Sequence, residues 1–149
     1  MNIEYNQNFP QWLGQFVNNY QSVNQQNISL LKEMYTDDII FSDPLHKIEG
    51  IDSLTQYFEH LYQNMIECRF DVFHHISDEQ HSAIYWTMVF RHKKIKSGNS
   101  ISVEGHSMLY WRGDKVYYHR DYFDIGSMVY EHIPLLGSMI RKLKRRISQ

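Results

Sequence analysis

Apolar residues recur at helical spacing in two stretches near the N-terminus. The residues that share this spacing are Trp12, Phe16, Tyr20 and Val23 in the first stretch and Ile28, Leu31, Met34 and Tyr35 in the second. The two patterns predict two N-terminal helices, separated by a turn that is rich in Asn and Gln. A third helix is predicted between Gly50 and Met65, because Asp52 or Ser53 can cap its start and apolar residues follow at helical spacing.

The sequence also predicts several strands. Residues 39–43 combine β-branched and aromatic side chains, and Asp43 is biased toward extended geometry by Pro44. After residue 68 the hydrophobic period becomes two, which predicts strands near residues 68–76, 82–96, 100–112 and 115–124. Because the turns between these four strands are short, we expect an antiparallel meander. Helices followed by strands indicate an α+β fold.

Alternation along the predicted strands groups aromatic and ionisable side chains together. The residues grouped in this way are Trp86, Met88 and Phe90, then Glu104, His106 and Met108, and finally Tyr117, His119, Asp121 and Phe123. The opposite side of the last strand is also partly apolar and partly charged, so alternation alone leaves open which face points inward.

Composition narrows the classes of function. The length of 149 residues and the hydrophobic fraction of 42% indicate one globular domain. The formal net charge of −2 provides no positive electrostatic field that would attract nucleic acid. The first residues are polar and no apolar run approaches the length of a membrane span, so we expect a cytoplasmic protein. Cys68 is the single cysteine and is interpreted as a buried structural thiol.

The segment MYTDDIIFSDPLHKIEGIDSLTQYF, followed by four strands, resembles the nuclear-transport-factor-two-like superfamily, in particular the SnoaL-like polyketide cyclases and the ketosteroid isomerases. The most specific piece is the run from Asp37 to Pro44. The resemblance covers residues 11–125 approximately and implies a cone-shaped, curved antiparallel sheet wrapped around a pocket by three helices. A C-terminal helical extension over about residues 127–147 lies beyond it. The resemblance also implies a homodimer.

The same resemblance implies roles for particular residues. In the ketosteroid isomerases the acid of the Asp-Pro element is the general base, and it matches Asp43 here. Their protonated acid matches His106, and their oxyanion-hole tyrosine falls on Asn19, beside Tyr20. In the polyketide cyclases the proposed acid/base lies on the final strand, which Asp121 resembles, with a histidine like His106 on the preceding strand.

These residues lead to two functional hypotheses. In the first, the chain is a cofactor-free isomerase or cyclase that moves a proton next to a carbonyl group of a small hydrophobic compound. Asp43 or Asp121 is then the base, and His106 and His119 donate hydrogen bonds or tune the base. The ligand-binding residues would be Trp86, Met88, Phe90, Glu104, Tyr117 and Phe123. In the second hypothesis the same pocket binds a ligand without turnover.

Simpler interpretations exist for the same residues. Asp43 can be a turn residue whose carboxylate accepts nearby backbone N–H groups, as is common for Asp before Pro. His119 and Asp121 can belong to an exposed strand with ordinary cross-strand ion pairs. A further alternative is an iron site made of His106, His119 and Asp121, although no metal is expected.

The C-terminal segment has a separate pattern. Apolar residues from Val129 to Ile147 recur every three or four positions, which predicts an amphipathic helix that starts at Pro134. Its cations are Arg141, Lys142, Lys144, Arg145 and Arg146. The helix can dock on the domain or on a second subunit, or it can bind an anionic membrane surface or an acidic partner.

Overall fold

The computed structural model of the chain describes residues 8–148 and has the α+β architecture expected from the sequence. Its helices are α1 (Gln11–Ser22), α2 (Leu31–Met34), α3 (Ile51–Asn64), α4 (Ile125–Met128) and α5 (Leu136–Ile147). Its strands are β1 (Tyr35–Ser42), β2 (Lys47–Glu49), β3 (Met65–Ser77), β4 (His81–His92), β5 (Ile101–Arg112) and β6 (Lys115–Phe123).

The six strands form one curved sheet in the order β2-β1-β6-β5-β4-β3. The predicted meander of β3 to β6 is antiparallel, as expected. The sheet as a whole is mixed, because β1 pairs with β6 in parallel. The short strand β2, which the sequence did not predict, pairs with β1 across the turn that contains Asp43.

The second predicted helix ends one residue earlier than its apolar pattern. Residues Ile28–Leu30 form a 3₁₀ turn, α2 adds a single helical turn, and Tyr35 is already the first residue of β1. Tyr35 is fully buried in the core, so its apolar character reflects burial in a strand instead of helical periodicity. This correction matters because it places Tyr35 on the strand next to β6, where its hydroxyl reaches His119.

The helices pack on one side of the sheet, which we call the inner face, and the opposite side is the outer face. Helix α1 buries Leu13, Phe16, Val17 and Tyr20, and α3 buries Ile51, Leu54 and Phe58. Gly50 precedes α3 with φ of +88°, a conformation that other residues rarely adopt, and so turns the chain from β2 into the helix. The core therefore lies between these two helices and the inner face.

The C-terminal extension consists of α4, a 3₁₀ turn at Tyr130–His132, and α5. Helix α5 begins at Leu136, two residues after the predicted start at Pro134. Asp124 caps α4, since its side chain accepts the backbone N–H of Ser127. Within residues 8–148 no helix is both long and apolar enough to cross a membrane.

Candidate active site

The centre of the candidate site is the buried carboxylate of Asp121 on β6. Its Oδ1 accepts a hydrogen bond from the hydroxyl of Ser107 at 2.5 Å and pairs with Nε2 of His119 at 2.7 Å. Ser107 and Asp121 lie directly opposite each other in β5 and β6, which brings the two side chains together. The second oxygen, Oδ2, makes no hydrogen bond to any residue from 8 to 148. It can therefore accept a proton or a hydrogen bond from a ligand.

His119 is fully buried and connects Asp121 to Tyr35. Its Nδ1 lies 2.8 Å from the hydroxyl of Tyr35. Burial raises the pKa of Tyr35 well above its usual value, and the charge of Asp121 raises it further, so the phenol keeps its proton and donates to Nδ1. We therefore assign to His119 the tautomer that carries hydrogen on Nε2 and donates it to Asp121.

Trp86 on β4 completes the network on the other side. Its indole N–H donates to the hydroxyl oxygen of Ser107 at 2.8 Å, which leaves the hydroxyl hydrogen of Ser107 for Asp121. Gly105 lies opposite Trp86 in the sheet, and a Cβ there would be 2.5 Å from the indole ring. The glycine therefore makes room for the indole that holds Ser107 in place.

A cavity of about 140 Å³ borders this network. Asp43 and Asp121 both line it, so the two candidate bases reach one space. Its apolar walls are formed by Phe41, Leu45, Phe58, Leu61, Met65, Phe70, Trp86, Met88, Phe123 and Met128. Cys68 is also part of the wall, and burial raises the pKa of its thiol to about 12, so it stays protonated at neutral pH.

Asp43 lies at the rim of the cavity, where a turn occupies its carboxylate. Oδ1 accepts the backbone N–H groups of Leu45 and His46, each at 2.7 Å, and Tyr57 donates its hydroxyl to Oδ2 at 2.8 Å. Nδ1 of His46 lies 3.1 and 3.2 Å from the two oxygens. The turn interpretation therefore describes its contacts, and both oxygens already have partners. Asp43 is consequently a weaker candidate for the base than Asp121.

Tyr20 on α1 also lines the cavity. Its ring centre lies 5.7 Å from that of His119, and its hydroxyl makes no hydrogen bond to any residue in the described part of the chain. Burial raises the pKa of Tyr20 well above its usual value, and the charge of Asp121 adds to this, so the group stays an O–H donor. The family's oxyanion-hole position matched Asn19, and the structure shows that the neighbouring Tyr20 lines the cavity.

The structure brings together several of the side chains that the sequence grouped. Trp86, Met88 and Phe123 line the cavity, and His119 stands behind Asp121. Phe90 is buried in the core at 1% exposure but does not reach the cavity. The interpretation of His119 and Asp121 as members of an exposed strand is wrong, because both are buried.

Glu104 and His106 lie on the outer face, so the prediction that they share a face with His119 and Asp121 is wrong. The ring of His106 stacks on that of Tyr122, its partner in β6, with the ring centres 4.8 Å apart. The inward positions of β5 next to them are held by small residues, and alternation moves their ionisable neighbours outward.

Tyr117 also lies outside the cavity. The pairing of β5 and β6 shifts by one residue at this point, and Tyr117 is the residue of β6 left without a partner in β5. Such a β-bulge reverses the alternation, so the prediction that Tyr117 shares the face of His119 is wrong. Its ring packs instead below the guanidinium of Arg112, 4.6 Å from the ring centre.

The alternative iron site is not assembled. His106 lies on the opposite face of the sheet from His119 and Asp121, so the three side chains do not converge. Across residues 8–148, no group of three or more His, Cys, Asp and Glu side chains is arranged to hold a metal ion.

Four residues of the site were not identified from the sequence as functional: Tyr20, Tyr35, Tyr57 and Ser107. Tyr20 and Tyr57 were assigned to the apolar sides of helices, and Tyr35 to the end of one. A regular antiparallel turn at residues 113–114 would pair Ser107 with Arg120, and the bulge at Tyr117 shifts this pairing to Asp121. The register itself depends on the bulge, which the alternating pattern does not indicate.

The fold and the site define a class of protein: an α+β domain with a curved sheet and a small apolar cavity that holds a buried acid and histidine. A model of the SnoaL-like domain matches residues 17–119. The chain therefore belongs to the SnoaL-like family. No curated protein matches it.

Solved structures share the fold at low sequence identity. A protein of ketosteroid isomerase-like fold from Catenulispora acidiphila, in complex with trimethylamine, is 14% identical with a TM-score of 0.69, over 83% of this chain and 92% of that one. A protein from Jannaschia assigned to the SnoaL-like polyketide cyclases is 11% identical with a TM-score of 0.70, over 85% and 94%. An NTF2-like protein from Burkholderia pseudomallei is 14% identical with a TM-score of 0.70, over 80% and 95%. At these identities the likeness shows the fold alone.

Proposed function

We propose that the chain is a cofactor-free enzyme that transfers a proton next to a carbonyl group of a small apolar compound, as an isomerase or a cyclase does. The observation that carries the proposal is that only one of the two carboxylate oxygens of Asp121 is hydrogen-bonded within the described chain. Its Oδ1 is fixed by Ser107 and His119, while Oδ2 has no partner in the described chain and the residue lines an apolar cavity. A positioned carboxylate of this kind is suited to general-base catalysis.

The proposed reaction uses two groups. Oδ2 of Asp121 takes a proton from the carbon next to the carbonyl, and the electron pair of that C–H bond moves into an enolate. The hydroxyl of Tyr20 donates a hydrogen bond to the enolate oxygen. An isomerase then returns the proton from Asp121 to another carbon. In a cyclase the enolate carbon attacks a second carbonyl group of the same molecule, the C=O π electrons move to its oxygen, and Asp121 returns the proton to that oxygen.

His119 and Tyr35 act as positioning residues. The chain from Tyr35 through His119 to Asp121 is buried, and each of its hydrogen bonds is 2.8 Å or shorter. It holds the carboxylate in one orientation without offering a free proton to the cavity. The apolar walls exclude water, which strengthens the interaction between the Tyr20 hydroxyl and a developing negative charge.

The volume of the cavity limits the size of the proposed substrate. Its volume of about 140 Å³ is below the range of about 300–1,000 Å³ that is usual for drug-sized ligands. We therefore propose a substrate smaller than a steroid. The crystal of one structural relative contained trimethylamine, a small molecule, although that ligand belongs to that protein.

The test is hydrogen–deuterium exchange at the carbon next to the carbonyl of cyclohexenone in D₂O, followed by NMR. The intact protein should accelerate the exchange, and Asp121→Asn should lower the rate by about 10²–10⁴-fold, because asparagine keeps the shape but lacks the base. Tyr20→Phe should lower it by about 10²-fold. Asp43→Asn should cost less than Asp121→Asn. Asp78→Asn, which changes an exposed turn, is the matched control and should retain the wild-type rate.

The alternative is that the pocket binds a ligand without turnover. Saturable binding of cyclohexenone with no acceleration of exchange would favour this binding module and contradict the enzyme. Equal losses in Asp43→Asn and Asp121→Asn would contradict the assignment of Asp121 as the base. Circular dichroism spectra of the variants separate these outcomes from loss of fold.

A further inference from the structure

Helix α5 contacts the preceding 3₁₀ turn, at Glu131, through a polar edge. Gly137 is buried there, and a Cβ at this position would collide with the backbone carbonyl of Glu131. Arg141 donates to the same carbonyl at 3.0 Å, and Lys144 forms an ion pair with the side chain of Glu131. These contacts fix the orientation of the helix, because they all lie along one side of it.

The apolar side of α5 is left uncovered by the described chain. It consists of Leu136, Met139, Leu143 and Ile147, which we call the apolar stripe. These residues are separated by three or four positions and so lie in one line along the helix. Met139 is 69% exposed, Leu143 58% and Ile147 76%. Leu135, just before the helix, is 82% exposed and extends the same apolar surface.

All charged residues of α5 are cations. Five of the chain's 15 Lys and Arg residues lie between residues 136 and 147, and none of its 17 Asp and Glu residues does. At 100° per residue, Lys144 and Arg146 flank the apolar stripe on its two sides, and Arg145 lies opposite it. The net charge of the whole chain is −2, so the positive charge is concentrated on this helix.

We propose that α5 is an interfacial helix that binds the surface of a membrane containing anionic phospholipid. The exposed apolar stripe inserts among lipid chains, while Arg146 beside it and Lys142, one turn before Arg146 on the same side, reach the headgroups. Each cation near such a surface adds favourable electrostatic energy. With 12 residues the helix is about 18 Å long, too short to span a bilayer and sufficient to lie along one.

The charge also argues against pairing of α5 with the same helix of a second copy. Two copies that paired through the apolar stripe would bring their cations together with no acid on either helix to compensate them. An anionic lipid surface supplies both the apolar depth and the negative charge. This inference is independent of the reaction proposed for the pocket.

The test is sedimentation of the full chain with vesicles of phosphatidylcholine alone or of phosphatidylcholine mixed with phosphatidylglycerol. The wild type should bind the anionic vesicles more tightly, and added salt should weaken the binding. The double variant Lys142→Glu/Arg146→Glu should bind about thirtyfold more weakly or worse, because two cations on the side of the helix next to the apolar stripe are lost. Leu143→Asp should also release the protein, because it places a charge in the apolar stripe.

The matched control is Lys93→Glu/Lys94→Glu, which changes the net charge by the same amount at another exposed place and should bind like the wild type. Equal loss in both double variants would overturn the proposal in favour of a nonspecific charge effect. Absence of vesicle binding by the wild type would overturn it too. If a dimer of the wild type in analytical ultracentrifugation were dissociated by Leu143→Asp, with no vesicle binding, the stripe would belong to an interface between copies.

Discussion

Two turns of this protein have the same local structure and different surroundings. Residues Asp43 to His46 connect β1 and β2, and residues Asp78 to His81 connect β3 and β4. In both, the carboxylate of the first residue accepts the backbone N–H groups of the third and fourth residues at 2.7 or 2.8 Å. In both, Nδ1 of the histidine also lies 3.1 Å from that carboxylate.

The surroundings separate the two turns. The Asp43 side chain is 8% exposed and receives the hydroxyl of Tyr57, whereas that of Asp78 is 66% exposed. The Asp-x-x-His sequence therefore predicts a turn, and it does not by itself predict an active site. What makes the first turn part of a pocket is the packing of α3 beside it. The comparison also shows that these contacts are not specific to an active site, because the same contacts hold Asp78 in an exposed turn.

The largest effect that separates the two turns should be on stability. We expect Asp43→Ala to lower the free energy of unfolding by about 2 kcal/mol, because a nearly buried charged acceptor and the partner of the Tyr57 hydroxyl are lost together. Asp78→Ala should lower it by less, since water can replace its contacts. Urea unfolding of the two variants at neutral pH measures both values. Equal losses would mean that the surroundings of Asp43 add nothing to the turn.

A smaller effect isolates the contribution of α3. Tyr57→Phe removes only the hydroxyl that reaches Oδ2 of Asp43, and we expect it to lower the free energy of unfolding by about 1 kcal/mol. The double variant Tyr57→Phe/Asp43→Ala should then cost less than the sum of the single changes, because the two groups share one hydrogen bond. Strict additivity in the same urea experiment would show that this hydrogen bond does not stabilise the fold.

Much of the fold follows from the sequence, because strand and helix periods are local. The meander β3 to β6, the helix α3 and the amphipathic α5 are all visible in the spacing of apolar residues. The parallel pairing of β1 with β6 joins distant parts of the chain, which no local period describes.

The site was harder to predict because its residues depend on strand register. His119 and Asp121 were identified through the family resemblance, since the pattern on β6 left the inward face open. On β5 the ionisable residues Glu104 and His106 drew attention, whereas the residues that face inward are Gly105 and Ser107. A small residue at an inward position leaves space for the side chain of the residue opposite it in the next strand. Which residue lies opposite depends on the strand register, which the sequence pattern does not specify.

The smallest effect concerns the pH dependence of the exposed turn. The backbone N–H of Gln80 and the side chain of His81 lower the pKa of Asp78 below its usual value. A lowered pKa in the folded state means that the ionised group stabilises the fold above its unfolded pKa of about 3.9, and that this contribution is lost as the pH falls through the folded value. The difference in stability between the wild type and Asp78→Asn should therefore be present at about pH 5 and shrink as the pH falls below about 4. Urea unfolding at a series of pH values measures it, and a difference that grows on acidification would contradict the assigned hydrogen bonds. Asp43 lines the candidate cavity and Asp78 does not. The pH effect at Asp78 therefore measures the contribution of the turn to stability, without any contribution from the cavity.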